Sequence, residues 1–104
     1  HEAVIPTVEI SDTLYHLGDD QGLSLPKREE YFRVQTPQGF HFPNIYTAHR
    51  KAQEENRHDF PDDGSLYAYY GGNLSLVKGS PLNMKITTPM DIPIAKAFLR
   101  LFSD

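Results

Sequence analysis

Cysteine is absent from the 104 residues, which excludes a disulfide framework and any thiolate metal site. That absence fits a cytoplasmic protein. Tryptophan is also missing, so the aromatic surface rests on six Tyr and six Phe. No apolar run approaches the ~18 residues of a membrane span, and no secretory signal is present. The seven glycines are scattered and build no phosphate-cradling loop. The five histidines, at positions 1, 16, 41, 49 and 58, lack the spacing of a zinc site. No nucleophile elbow or Ser/His/Asp order is found. An excess of positive charge is missing too. The net charge of −4 makes nucleic acid a poor partner, because such binding rests on neutralising phosphates. There is no internal repeat, low-complexity tract or obvious linker.

What is present is short and rather polar. The hydrophobic content of 38% is low for a self-sufficient globule of this size. The chain opens at His1 and passes at once into Ala3-Val4-Ile5-Pro6-Thr7-Val8. This reads as a strand already in progress. The expectation is a truncated N-terminus and one partial domain over residues 1–104.

Alternating strands and helices predict an α/β class. Residues 3–10 form a β-rich run interrupted by Pro6. Residues 12–17 are a second extended stretch, residues 18–22 a turn, and residues 23–25 a returning strand. This hairpin is too poor in apolar groups to stand alone. Residues 31–36 predict a strand stopped by Pro37 and Gly39. Residues 43–56 predict a helix with Pro43 in its first turn and Ile45, Ala48, His49 and Ala52 on one face. A second helix starts near Asp62, an acceptable N-cap, and stops before Gly71. Residues 74–77 and 83–87 predict strands. Thr88-Pro89-Met90-Asp91 carries the signals of a capped helix start. Ile92, Ala95, Phe98, Leu99 and Phe102 follow as an apolar stripe.

Four segments carry the specific information. They are Ser11-Asp12-Thr13, Arg28 followed by Val34-Gln35-Thr36-Pro37-Gln38-Gly39-Phe40, Asp62-Asp63-Gly64-Ser65, and Asn83-Met84-Lys85-Ile86-Thr87-Thr88-Pro89-Met90-Asp91. In this order and spacing the chain resembles the C-terminal part of 2-C-methyl-D-erythritol 4-phosphate cytidylyltransferases, from about Ile5 onward. The resemblance implies the C-terminal part of a Rossmann-like nucleotidyltransferase fold with a protruding β-hairpin arm. It implies transfer of CMP from CTP to the polyol phosphate by a homodimer, with Mg²⁺ held mainly on the CTP phosphates. The family's Gly-rich CTP loop has no counterpart here, so the chain alone is expected to be inactive.

The resemblance makes Lys85 and Arg28 the candidate catalytic residues, and Thr13 and Thr36 the candidate substrate-binding residues. Residue chemistry is compatible with each role. An alternating strand over residues 83–87 would project Lys85 and Thr87 from one face, just ahead of a helix N-terminus that favours phosphate. The planar fork of Arg28 suits a phosphate. A threonine hydroxyl can donate to a phosphate oxygen, although threonine also serves β-structure. The bland alternatives are an ordinary surface lysine and a solvated arginine beside Lys27, Glu29 and Glu30. Asp62 and Asp63 read as a helix cap before they read as a metal pair. Pro61 and Gly64 depart from the family pattern there. In the family, residues 12–28 would form a dimerisation arm, so Arg28 and Thr13 would serve the partner's site. Two rivals stand beside this reading: a cytidylyltransferase for another polyol phosphate such as ribitol 5-phosphate, and a non-catalytic dimerisation module.

Overall fold

The computed structural model describes residues 1–102; the final two residues of the expected domain lie outside them. At its centre is β1, Ala3–Glu9, with β6, Ser75–Lys78, parallel along one edge. The other edge is shared by two short antiparallel strands, β4 (Phe32–Val34) and β5 (Gly39–Phe40). The register places Thr7 opposite Val34 but Val4 opposite Gly39, so residues 35–38 bulge out between the two pairings. Pro6 lies opposite this bulge. It does not interrupt the strand, because a residue without an N–H is tolerated where the ladder is already broken. Its carbonyl accepts the Gln35 N–H at 2.9 Å.

Two helices cover one face of this sheet. α1, Phe42–Glu54, begins with Pro43 in its first turn and buries Ala48 and Ala52. These small side chains let it approach Ala3, which is 1% exposed. α2, Asp63–Tyr69, inserts Leu66 and Tyr67 into the same cluster. Phe40 meets Tyr67 edge to face, with ring centroids 5.5 Å apart, a geometry worth about 0.5–1.5 kcal/mol beyond area burial. Gly72 makes room for that ring, since a Cβ there would lie 2.2 Å from Tyr67 Cε2. The Tyr67 hydroxyl donates to Glu2 at 2.7 Å, and Asn73 donates to the same carboxylate at 2.8 Å. These two bonds, hydroxyl first, hold the Glu2 carboxyl below its ordinary pKa.

The hairpin forms where expected but is small. β2 (His16–Leu17) pairs with β3 (Leu23–Ser24) as a separate two-stranded sheet. Its turn is closed by Gly18 N–H to Gly22 O at 2.9 Å, and Gln21 takes φ 64°. Tyr15, Leu17, Leu23 and Leu25 remain exposed along it.

Two expectations fail in the last third of the chain. Residues 83–87 form no strand; they belong to a loop between β6 and α3, Asp91–Leu101. A strand needs a neighbouring edge to pair with. Here side chains tie down the loop's start instead, and Ile86 is exposed rather than core-facing. The start of α3 also differs from a Thr88 cap. The Asp91 carboxylate turns back and accepts the N–H groups of Thr87 and Thr88 and the Thr87 hydroxyl, each at 3.0 Å. The acid three residues after Thr88 thus plays its expected part, while no side chain caps the helix from Met90. Of the apolar stripe, Ala95 and Phe98 are half-buried and Ile92, Leu99 and Phe102 are exposed. The Cα radius of gyration is 17.0 Å, against about 13 Å for a compact domain near this length. Much apolar surface on the sheet and α3 therefore remains available for cover.

Candidate functional site

The segment from Gln35 to Phe40 organises the site. It lies in the bulge between β4 and β5, and its Thr36–Pro37 peptide is cis. Its two glutamines face opposite ways along the molecule. The Gln38 amide donates to Asp62 Oδ2 at 2.8 Å and accepts the Gly64 N–H at 3.0 Å, so it fastens the first turn of α2. The Gln35 amide reaches the β6–α3 loop. It donates to Ser80 O at 2.7 Å and Asn83 O at 3.1 Å, and accepts the Ser80 N–H at 3.1 Å. Asn83 answers with a bond from Nδ2 to Thr36 O at 2.7 Å. The sequence reading passed over both glutamines. The available signal was that each flanks the Thr-Pro pair in the most specific motif.

These bonds bring Thr36 and the loop carrying Lys85 together. Both side chains are exposed, as a substrate-facing group must be. Lys85 sits two residues beyond Asn83 and two before Thr87, between the loop's two anchors. Its place in a loop replaces the strand expected for it, so alternation does not fix the direction of its side chain. Arg28 occupies a 3₁₀ turn, Arg28–Glu30, between β3 and β4. Its guanidinium donates to Ser11 O at 2.9 Å, which ties the foot of the hairpin to the stretch just before Thr13. Arg28 and Thr13 are both exposed. The four candidates thus fall into two pairs: Thr36 with the Lys85 loop, and Arg28 with the Thr13 segment.

Asp62 and Asp63 are already engaged. Asp62 Oδ1 accepts the Ser65 N–H at 2.8 Å while its own N–H reaches Ser65 Oγ at 3.4 Å, a reciprocal cap on α2. Burial acts to raise the Asp62 pKa, but bonds from Gln38 and Ser65 outweigh it and hold the group low. Asp63 meets His49 Nε2 at 3.0 Å. Among the described residues no group of three or more His, Asp or Glu side chains is placed to hold a metal ion. Gly64 sits where a Cβ would come within 3.2 Å of Ile5 Cδ1 and 3.3 Å of Gln38 Oε1, so an added methyl would have to push these side chains slightly aside.

A large open cavity, ≈ 840 Å³, lies elsewhere, between α1 and the segment following it, with Tyr46, His49, Arg57 and Leu66 in its walls. None of the four candidate residues lines it. Cavity size and motif chemistry therefore point to different places. The motif geometry carries more weight, because it unites residues far apart in sequence through directional bonds.

The comparisons agree with the motifs. Residues 1–101 match the family described as IspD: 2-C-methyl-D-erythritol 4-phosphate cytidylyltransferase. The chain belongs to this family. The IspD relatives include the 2-C-methyl-D-erythritol 4-phosphate cytidylyltransferase of Syntrophotalea carbinolica, 40% identical over 97 residues, covering 93% of this chain and 41% of that protein. The bifunctional enzyme IspD/IspF of Bartonella bacilliformis is 35% identical over 99 residues, covering 94% of this chain and 25% of its own length. The crystal structure of the cytidylyltransferase from Thermus thermophilus superposes with a TM-score of 0.80 at 32% identity, over 95% of this chain and 48% of that one. The corresponding synthase structure from Anaerococcus prevotii gives 0.81 at 31% identity, over 95% and 46%. The chain therefore has the IspD nucleotidyltransferase fold and spans from a quarter to a half of the length of these relatives. No helix among the described residues is long and apolar enough to cross a membrane.

Proposed function

We propose that the complete protein transfers CMP from CTP to 2-C-methyl-D-erythritol 4-phosphate in non-mevalonate isoprenoid synthesis. An oxygen of the acceptor phosphate attacks the α-phosphorus of CTP, the bond to the β-phosphate breaks, and pyrophosphate leaves. No covalent enzyme intermediate is needed. The protein's task is to position two polyanions and to stabilise charge on the α-phosphate in the transition state. Lys85 supplies part of that stabilisation. Arg28, Thr13 and Thr36 orient the acceptor. Family membership across residues 1–101 is the observation that carries this reading.

Residues 1–104 form one part of the nucleotidyltransferase domain in this proposal, and this chain alone lacks CTP-dependent activity. Residues 12–28 act as an arm on a second subunit of a cytoplasmic homodimer, which brings Arg28 and Thr13 to the partner's pocket. The exposed Tyr15, Leu17, Leu23 and Leu25 support this, because an isolated hairpin needs a surface to lie on. The described side chains do not fit a metal cluster. Mg²⁺ is proposed on the CTP phosphates, with no ligand assigned in this chain, and no step here runs through it.

The test offers labelled CTP to the complete protein with either 2-C-methyl-D-erythritol 4-phosphate or ribitol 5-phosphate. Transfer to the methylerythritol phosphate with at least tenfold higher kcat/KM is expected, a margin of about 1.4 kcal/mol. Preference for ribitol 5-phosphate would reassign the acceptor. No transfer to either would leave the dimerisation module. Pyrophosphate release by the purified 104-residue chain would overturn the claim that it is inactive alone.

A further inference from the structure

Gln35 is fixed from behind and bonded three ways in front. Its backbone N–H is held by Pro6 O at 2.9 Å, and the loop's first residue, Gly79, donates to Thr7 O at 2.8 Å. Both ends of the contact are therefore anchored on β1. Between them the side-chain amide makes two donor bonds to carbonyls and one acceptor bond from an N–H. This pattern fixes the orientation of the amide. Glutamate at the same place would set carboxylate oxygen against the Ser80 and Asn83 carbonyls, and leucine would leave all three groups to solvent. The fit is close enough to restrict residue 79. A Cβ there would lie 2.1 Å from Gln35 Oε1 and 3.1 Å from Thr7 O. The glycine is needed for the approach of the amide, since its φ is not in the left-handed region.

Beyond the clamp the loop has a second anchor, the Asp91 carboxylate on Thr87 and Thr88. Lys85 lies between the two. We propose that Gln35 is a positioning residue for phosphoryl transfer. With Asn83 it locks the loop of residues 79–90 to the Thr36 segment and so sets where the Lys85 ammonium stands relative to the acceptor pocket. This rests on the role given to Lys85 above. A lysine on an exposed loop samples many positions, and a displacement of about 1 Å in a charge-stabilising group can cost on the order of 10² in rate. Through Gln35 and Asn83 the acceptor-side threonine and the charge-stabilising lysine move as one unit.

The test uses the complete protein with Gln35→Leu, Gln35→Glu, Gly79→Ala and Lys85→Ala, and the double variant Gln35→Leu/Lys85→Ala. Gly79→Ala strikes the clamp from the opposite side and serves where Gln35→Leu folds poorly. Readouts are kcat and KM for both substrates, amide hydrogen exchange of residues 80–90, and the thermal midpoint. Each clamp variant should lower kcat by about 10–10²-fold with little change in KM. Each should also raise exchange within residues 80–90 and lower the midpoint by no more than a few degrees. In the Lys85→Ala background Gln35→Leu should add little, because its effect travels through the missing ammonium. An equal kcat loss in both backgrounds would overturn the proposal, as would an unchanged kcat in the clamp variants, whatever the exchange shows. If Lys85→Ala itself leaves kcat intact, the role of Lys85 falls and the positioning claim falls with it. Raised exchange in the clamp variants would then record a purely structural contact.

Discussion

Replacing Asp62 with alanine removes three contacts at once. The carboxylate accepts the Ser65 N–H at 2.8 Å, the Ser65 hydroxyl at 2.5 Å and the Gln38 amide at 2.8 Å. Loss of an N-cap costs about 0.5–2 kcal/mol. A hydrogen bond to a charged group contributes about 1.5–3 kcal/mol. The carboxylate is only half-buried, so solvent recovers part of this. A total of about 2 kcal/mol follows from the low ends of both ranges. Gln38 Nε2 keeps a single weaker bond, to Gln35 O at 3.3 Å, so the loss also loosens the Thr36 segment. Asp62→Asn keeps a cap acceptor and should cost about half as much. The assay is equilibrium urea unfolding of the complete protein, with the midpoint shifting and the m-value constant. The pH dependence has a definite sign. The folded pKa lies below the ordinary 3.8, so the stabilisation is present above that value and disappears as pH falls through the lower folded value. The stability gap between wild type and Asp62→Ala should therefore narrow under strong acid. A cost below about 0.5 kcal/mol for Asp62→Ala, or no narrowing in acid, would refute the argument, because surface changes alone fall in that range.

Lys85→Ala in the complete protein should lower kcat by about 10²–10³, more than it raises KM, as expected for a charge aimed at the transition state. An unchanged kcat with a raised KM would reassign it to ground-state binding. Mixing Arg28→Ala subunits with Lys85→Ala subunits should restore about a quarter of wild-type activity, since random pairing gives about half heterodimers with one intact site each. No recovery, with heterodimers shown by mass spectrometry, would place both residues in one subunit's site. Burial, reinforced by the Glu55 carboxylate, pushes the Tyr70 phenol up to about 12. A raised folded value gives stability that is present below pH 10 and lost as pH rises through about 12. Ultraviolet titration should show a late tyrosine step near pH 12 that Tyr70→Phe removes; an unchanged titration curve would refute the assignment.

Signals confined to a few neighbouring residues were legible before any coordinates. The Asp62 cap is one, because its partner Ser65 lies three residues away. The turn at residues 18–22, the Pro43 helix start and the bond from the Thr88 N–H to Asp91 are of the same local kind. The order and spacing of the motif segments also carried the family assignment. Tertiary structure alone decided the rest. Pro6 stays in β1 because a bulge happens to lie opposite it, and that bulge belongs to residues about thirty positions away in sequence. Residues 83–87 alternate like a strand yet form a loop, because alternation describes a side-chain pattern and cannot supply the edge that a strand must pair with. Gln35 and Asn83 looked like ordinary polar residues. Their bonds span 45 to 48 positions, and a contact of that length is set by how β1, β4 and β6 come together, which no local window contains.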